Sequence, residues 1–122
     1  MELLYKELTE RVIKALYEVF SNLGPGLNEV IYKRALKDEL GRGKVKFKAE
    51  IEIPVFYKKK QLGSQRIDLV IDEKVILELK SKSALEPLDE AQIITYLKSS
   101  GYRIGILVNF GSKKLEFKRF IV

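Results

Sequence analysis

The segment RIDLVIDEKVILELKSKS, residues 66–83, contains two short apolar runs on either side of the charged turn Asp72-Glu73-Lys74. Apolar and β-branched runs that flank a short polar turn predict a β-hairpin. Because side chains alternate along a strand, Ile67, Leu69 and Ile71 are predicted to share one face. The hairpin therefore predicts a β-sheet with at least one buried face.

Charged residues interrupt both strands of this hairpin. If the turn has three residues, Ile71 pairs with Val75, Asp68 lies opposite Glu78, and Lys80 shares their face. A two-residue turn would separate them. Facing carboxylates repel each other, and either Lys80 or a divalent cation could neutralise them. The alternative is a solvated strand end without chemistry.

Apolar periodicity along the rest of the chain predicts a mixed sheet covered by helices. Lys58 to Gly63 are predicted as a turn, and Pro54 indicates an edge strand or a bulge. The order ααβββαββ predicts one α/β (α+β) domain over residues 1–122. The predicted helices cover residues 4–23, 28–40 and 87–100, and the predicted strands cover 47–57, 64–71, 75–80, 102–110 and 114–122.

The composition restricts the available chemistry. The chain has no cysteine and no histidine. This excludes disulfides, thiolate or histidine zinc sites, Ser-His-Asp triads and nucleases that use imidazole as a base. Carboxylates, lysine and tyrosine remain as functional groups.

Charge and hydropathy indicate the partners and the compartment. Lysine and arginine number 23 against 17 acids, a net charge of +6 with a pI of about 9.4. This favours nucleic acid or an anionic membrane surface as partner, although simple solubility gives the same balance. No apolar run approaches the ~20 residues of a membrane span, and the N-terminus MELLYKELTERV does not resemble a secretory leader. We expect a soluble, cytoplasmic protein.

Two helical segments carry further polar residues. Glu29 and Tyr32, at i and i+3, project from one face of the second helix. Gln92 and Tyr96, at i and i+4, share a face of the third. The alternatives are a surface pair between Glu29 and Lys33 with Tyr32 in the core, and an ordinary amphipathic helix boundary.

These residues together resemble a known family over almost the whole chain. Gly26 to Tyr32, GLNEVIY, resembles the signature of the GxxExxY proteins in the PD-(D/E)xK nuclease superfamily. Asp68 is similar to the acid of that motif and Glu78-Leu79-Lys80 to its ExK half. Gln92 to Tyr96 resembles the Q-xxx-Y helix of RecB-like nucleases, and the closing GILVNFGSKKLEFKR also resembles the family.

Two positions depart from the pattern. Ile67 stands where the superfamily name has proline, at a position that supports the backbone. Asp89 stands where we expect relatives often to have histidine, so a role of that group in binding substrate or metal is not carried over.

The resemblance implies a restriction-endonuclease-like core and a metal-dependent nuclease that acts on DNA. It implies that Lys80 orients or deprotonates the attacking water and stabilises charge on the phosphate. Gln92, Tyr96 and Tyr32 would contact substrate or support the site. The implied ligands of Mg²⁺, which Mn²⁺ could replace, are Asp68, Glu78, the Leu79 carbonyl and Glu29.

Other readings stay open. The nuclease fold could serve a nucleic-acid-binding or partner-binding module with little turnover, because fold alone does not determine function. The acids could also be merely solvated. A small chain that cuts two strands often needs a symmetric pair of sites, so we expect a homodimer or a protein partner that supplies specificity.

Overall fold

A computed structural model describes residues 4–122. Its three helices and five strands follow the predicted order ααβββαββ. Within residues 4–122, none of the helices combines the length and the hydropathy that a membrane span requires. The elements are α1 (Lys6–Leu23), α2 (Glu29–Arg42), β1 (Phe47–Tyr57), β2 (Lys60–Ile71), β3 (Val75–Lys80), α3 (Pro87–Ser100), β4 (Ile104–Asn109) and β5 (Glu116–Ile121).

The five strands form one mixed sheet in the order β1-β2-β3-β4-β5. All neighbours are antiparallel except β3 and β4, which are parallel. Parallel neighbours need a crossover connection, and α3 supplies it. Strand β1 lies at an edge and its register shifts between Val55 and Phe56, which confirms the prediction made from Pro54.

The sheet is covered on both faces. One core cluster joins α1 and α2 to one face, with Leu16, Leu36 and Leu77 among its fully buried members. The other joins α3 to the opposite face and includes Ile93 and Leu107. The predicted layers of helix, mixed sheet and helix are therefore confirmed.

The side-chain alternation of the central hairpin reverses within the strand. Leu69 and Ile71 face α1 and α2, whereas Ile67 is buried in the cluster beside α3, so the prediction that all three share one face is wrong. The β1–β2 ladder lacks the pair between Glu50 and Asp68, and Glu50 has a left-handed backbone with φ of 55°. An irregularity of this kind changes the face that the following residues present.

The predicted turn over residues 58–63 is also wrong. Strand β1 continues to Tyr57 and β2 begins at Lys60. Only Lys58 and Lys59 lie in the turn, with φ of 49° and 67°. Two successive left-handed residues close a two-residue hairpin loop, which lysine rarely does and which sequence patterns associate with Asn-Gly.

Candidate active site

The register of the central hairpin agrees with a three-residue turn. Ile71 pairs with Val75 across residues 72–74, and the β2–β3 ladder ends at the pair of Leu69 and Leu77. This confirms the predicted register. Toward the Lys80 end of β3 the two strands have no further backbone pairs. Side chains accept the backbone hydrogen bonds there instead.

Where the ladder ends, the side chains of Asp68 and Glu78 each accept a hydrogen bond from the backbone of the opposite strand. The Asp68 backbone N–H donates to Oε1 of Glu78 at 2.9 Å, and the Leu79 N–H donates to Oδ2 of Asp68 at 2.9 Å. Each carboxylate thus satisfies a backbone donor that a continued ladder would have used. The two acids therefore lie close together at the end of the ladder, and both are buried.

Glu78 is a buried acid for which residues 4–122 supply no salt bridge, although the charge of Lys80 acts on it from further away. Glu78 is only 5% exposed. Within residues 4–122, no lysine or arginine nitrogen lies within 4.0 Å of its carboxylate. Burial, and then the neighbouring Asp68, raise the pKa of Glu78 to about 8. A divalent cation would offset both effects, because it supplies opposite charge to oxygen ligands. This observation indicates that the acid pair fits a hard divalent ion.

Asp68 has a cation partner that the sequence analysis did not predict. Nζ of Lys33 lies 2.8 Å from Oδ1 of Asp68, and both side chains are largely buried. Burial opposes the charge of Lys33, but the hydrogen bond and charge of Asp68 outweigh it and raise the lysine's pKa. The only sequence signal was the position of Lys33 four residues after Glu29, which suggested a different ion pair.

Glu29 is the first residue of α2 and lies on the same side of the molecule as the acid pair. Burial and the charge of Asp68 raise the pKa of Glu29, while Lys80 and Lys33 lower it. Even so, no three acidic side chains in residues 4–122 are close enough together to hold one metal ion. The predicted convergence of Glu29, Asp68 and Glu78 is therefore not seen within residues 4–122, and Oδ1 of Asp68 is bound by Lys33 instead.

Lys80 is held by α3. Its Nζ donates to Oε1 of Gln92 at 3.0 Å and lies 4.0 Å from Oδ1 of Asp89. Asp89 itself caps α3 by accepting from the Glu86 N–H at 2.8 Å, and it binds Lys82 at 3.0 Å. Burial opposes its charge, yet the Glu86 N–H and Lys82 lower the pKa of Asp89 below its ordinary value. Asp89 therefore has a structural role here.

Tyr96 lies near the acid pair from the same helix. Burial, followed by the charges of Glu78 and Asp68, raises the pKa of Tyr96. Its hydroxyl donates to Oε1 of Gln65 at 3.4 Å. The structure thus brings Gln92 and Tyr96 to one side of α3, facing Lys80 and the acids.

Tyr32 supports the backbone and is fully buried. Its hydroxyl donates to the Gly24 carbonyl at 2.5 Å and accepts from the Leu27 N–H at 3.0 Å. Its ring stacks on Phe110 with centroids 4.3 Å apart. The sequence left Tyr32 with two roles, contact with substrate or support of the site. These hydrogen bonds favour support, because they hold the turn that precedes Glu29.

Hydrogen bonds of Ser81 and Asn109 hold the segment after β3, and the sequence analysis did not predict them. Ser81 Oγ donates to the Leu27 carbonyl at 2.5 Å. The fully buried amide of Asn109 accepts from the N–H groups of Lys82 and Gly111 and donates to the Lys82 carbonyl at 2.9 Å. Lys80 and the turn before α2 are therefore held at fixed positions. An isolated Asn at the end of a strand carries no sequence signal for this role.

Comparisons with known proteins support the fold and the family. A search of curated proteins finds no significant match. Among solved structures, the chain is similar to the crystal structure of SSO0001, with a TM-score of 0.59 and 21% identity over 95% of this chain. This chain spans 58% of that chain's length. At this identity the likeness supports the fold alone.

A comparison with family models identifies the superfamily, which the structural similarity alone does not. The model of the PD-(D/E)XK nuclease superfamily matches residues 6–120. The matched range contains the acid pair, Lys80 and all three helices. With its restriction-endonuclease-like α+β fold, this chain belongs to the PD-(D/E)XK nuclease superfamily.

Proposed function

We propose that this protein is a divalent-metal-dependent nuclease that hydrolyses phosphodiester bonds in DNA. The observation that carries the proposal is Glu78, a buried carboxyl that has no salt bridge within residues 4–122 and lies beside Asp68, two residues before Lys80. Superfamily membership supports nuclease activity. The basic net charge supports a nucleic-acid substrate.

The metal would be held by the oxygen donors at the end of the β2–β3 ladder. Asp68, Glu78 and the Leu79 carbonyl are the proposed ligands of Mg²⁺ or Mn²⁺, and Glu29 would join them directly or through water. Carboxylate and carbonyl oxygens are the ligands that these ions prefer. When bound, such an ion polarises a phosphate oxygen and lowers the pKa of a water molecule.

The chain's own residues would do the remaining work. Lys80, whose Nζ donates to Gln92, would orient or deprotonate the attacking water and offset negative charge on the phosphate. Its contact with Oε1 leaves the amide nitrogen of Gln92 as a donor for substrate. Because its pKa is raised, Tyr96 stays protonated and acts as a hydrogen-bond donor.

We also propose that the chain is a member of the GxxExxY group. Gly26 has a left-handed backbone with φ of +91°, which glycine adopts readily. Tyr32 then closes the turn through Gly24 and Leu27 and places Glu29 at the helix start. Each part of the signature therefore has a physical task in this chain.

A specific observation also favours a second function, a nucleic-acid-binding or partner-binding module with little turnover. Lys33 neutralises Asp68, and no three acids within residues 4–122 are grouped for a metal. If this arrangement persists with substrate, the fold would bind without cutting. Cleavage and binding assays separate the two functions.

The test is cleavage of branched, single-stranded and duplex DNA, with RNA in parallel, in Mg²⁺, in Mn²⁺ and in EDTA. The proposal predicts ion-dependent products that Asp68→Asn, Glu78→Gln and Lys80→Met each reduce by about a hundredfold or more. The control is Asp38→Asn, which removes an exposed acid paired with Arg42. Cleavage that survives in Asp68→Asn would contradict the proposal, whereas binding without cleavage would favour the second function.

Association with a second copy or with another protein belongs to the same proposal. One active site of this size cuts one strand at a time, so cutting both strands would call for a symmetric pair. Sedimentation velocity with and without DNA measures whether the protein forms a homodimer. A monomer that cuts duplex DNA on both strands would contradict this part of the proposal.

A further inference from the structure

The β1–β2 hairpin extends beyond the sheet as an arm, residues 54–66. Strand β2 pairs with β3 only from Leu69 onward, so within the arm it pairs with β1 alone. Every residue of the arm is exposed except Val55, which is partly buried. A two-stranded ribbon with no buried face gains little from packing, so its sequence is free to serve binding.

The arm carries most of the protein's excess positive charge. It contains Lys58, Lys59, Lys60 and Arg66 and no acid, a charge of +4 within a chain of +6. Within residues 4–122 the three lysines form no ion pair, and Arg66 only approaches Glu52 at 4.0 Å, where both are exposed. These cations are therefore available to an anionic partner.

The tip of the arm places lysine where the backbone disfavours it. Lys58 and Lys59 both have positive φ, and a left-handed conformation costs an L-residue other than glycine about 1–2 kcal/mol. Asn-Gly would close the same turn with less strain. Strain that persists at an exposed position indicates a function for the side chains that cause it.

Large exposed apolar side chains lie next to these cations in the arm. Phe56, Tyr57 and Leu62 are 59%, 60% and 63% exposed, and Nζ of Lys58 lies 5.4 Å from the centroid of the Tyr57 ring. Cations next to exposed aromatic rings are typical of nucleic-acid contacts, where lysine binds phosphate and rings contact sugars or bases. The charge and the rings together favour nucleic acid over a second copy of this basic chain.

The arm leads directly to the proposed active site. Gln65, near its base, accepts the hydrogen bond from Tyr96, and β2 continues through Ile67 to Asp68. Asp68 follows Lys59 by nine positions along the chain. At the rise of a β-strand they span about 30 Å. At about 3.4 Å per base pair, this distance corresponds to about nine base pairs of duplex.

We propose that the arm binds the phosphate backbone of duplex nucleic acid about nine base pairs from the phosphate held at Asp68 and Glu78. The distance rests on the proposed nuclease function. The binding does not, because it depends on the charge and exposure of the arm alone. The arm would therefore determine how long a duplex must be for tight binding.

The test uses the double variant Lys58→Asn with Lys59→Gly. It removes two charges and introduces Asn-Gly, the pair that a two-residue turn prefers. Its control, Lys113→Asn with Lys114→Gly, removes the same charge from another exposed loop. Binding to a duplex of about 20 base pairs is measured by fluorescence anisotropy in EDTA, over a range of salt concentrations. Circular dichroism verifies that both variants are folded.

The arm variant is expected to bind at least about fivefold more weakly, and its plot of log K against log salt should be shallower by about 1.8, two phosphate contacts at about 0.9 each. The control variant should resemble wild type. The length effect is measured separately in Ca²⁺, because a phosphate is held at Asp68 and Glu78 only when a divalent ion is bound; there wild type should lose its advantage over the arm variant on a duplex of about eight base pairs. Equal affinity and slope in the two variants would overturn the proposal. So would a wild-type dimer in sedimentation that only the arm variant dissociates, because the arm would then be an interface between copies.

The failure of either proposal can be recognised separately. Because binding is measured without a divalent ion, an inactive protein that still binds through the arm would refute the nuclease function and leave the arm's role intact. Ion-dependent cleavage with no effect of the arm variant on affinity would do the reverse.

Discussion

Burial beside Asp68 makes Glu78 sensitive to pH. Its folded-state pKa of about 8 is above its ordinary value of 4.5, so the folded protein binds a proton more tightly than the unfolded chain does. The corresponding stability is fully present below pH 4.5 and is lost as pH rises through about 8. A metal ion would reverse the preference, since it favours the charged carboxylate.

We therefore predict that the metal-free protein loses on the order of 3 kcal/mol of unfolding free energy between pH 5 and pH 8 through this group. Glu78→Gln should remove most of that dependence, because its amide does not titrate. The measurement is urea denaturation in EDTA at a series of pH values, with the exposed Glu10→Gln as control. A Glu78→Gln protein with the wild-type pH dependence would contradict the assignment.

Lys33 competes with a cation for Asp68. Its Nζ lies 2.8 Å from Oδ1 of Asp68, so an ion that uses this oxygen must displace it. Lys33→Met keeps the length of the side chain and removes the charge. We predict Mn²⁺ binding about tenfold tighter in this variant, equivalent to about 1.4 kcal/mol.

Isothermal titration calorimetry with Mn²⁺ measures this change. Lys37→Met, one turn further along α2, is the matched control because that lysine lies 4.0 Å from Glu50. Weaker binding in Lys33→Met would mean that the lysine orients Asp68 for the metal, and the competition argument would be wrong.

At the scale of elements, the segment between β3 and α3 determines where Lys80 and Gln92 meet. Asn109 holds it through the Lys82 backbone, and Phe110 N–H donates to the Lys80 carbonyl at 2.9 Å. The approach is so close that a Cβ added at Gly111 would lie 2.3 Å from the backbone nitrogen and oxygen of Lys82. Glycine is required at this position by space.

Gly111→Ala is therefore predicted to lower the unfolding free energy by about 1–3 kcal/mol, since the backbone must move to admit the methyl group. Gly41→Ala is the control. No atom lies within 4 Å of the added methyl there, and alanine favours the helix that contains it. Chemical denaturation of both variants measures the difference. An unchanged stability in Gly111→Ala would show that this loop is not held as tightly as the structure indicates.

For the whole molecule, one sheet connects the two core clusters. Strand β4 contributes Ile106 to the cluster beside α1 and α2 and Leu107 to the cluster beside α3. Loss of packing in one cluster would disrupt the sheet on which the other cluster also depends. The prediction of a single domain over residues 1–122 therefore translates into a single cooperative unfolding transition.

Differential scanning calorimetry tests this prediction. At about 0.7 kcal/mol per residue near 60 °C, the unfolding enthalpy should be about 85 kcal/mol, with calorimetric and van't Hoff values equal. Near- and far-ultraviolet circular dichroism should give the same midpoint. Two transitions, or a van't Hoff enthalpy well below the calorimetric one, would indicate two separately folding parts.

The sequence by itself determined the order of elements, the hairpin register that pairs Ile71 with Val75, and the placement of Gln92 and Tyr96 on one side of α3. Helical periodicity and strand alternation are local properties, so they can be read from neighbouring residues. The short polar turn at residues 72–74 set the register in the same local way.

Only the tertiary structure decided which groups meet across distant segments. The ion pair of Lys33 with Asp68 depends on how α2 packs against the sheet, which no local pattern encodes. The reversed face of Ile67 and the long arm beyond it depend on left-handed backbone at Glu50, Lys58 and Lys59, which sequence patterns assign to glycine or asparagine. Whether the acids at the end of the β2–β3 ladder hold a metal depends on such packing, because it brings Lys33 into contact with Asp68.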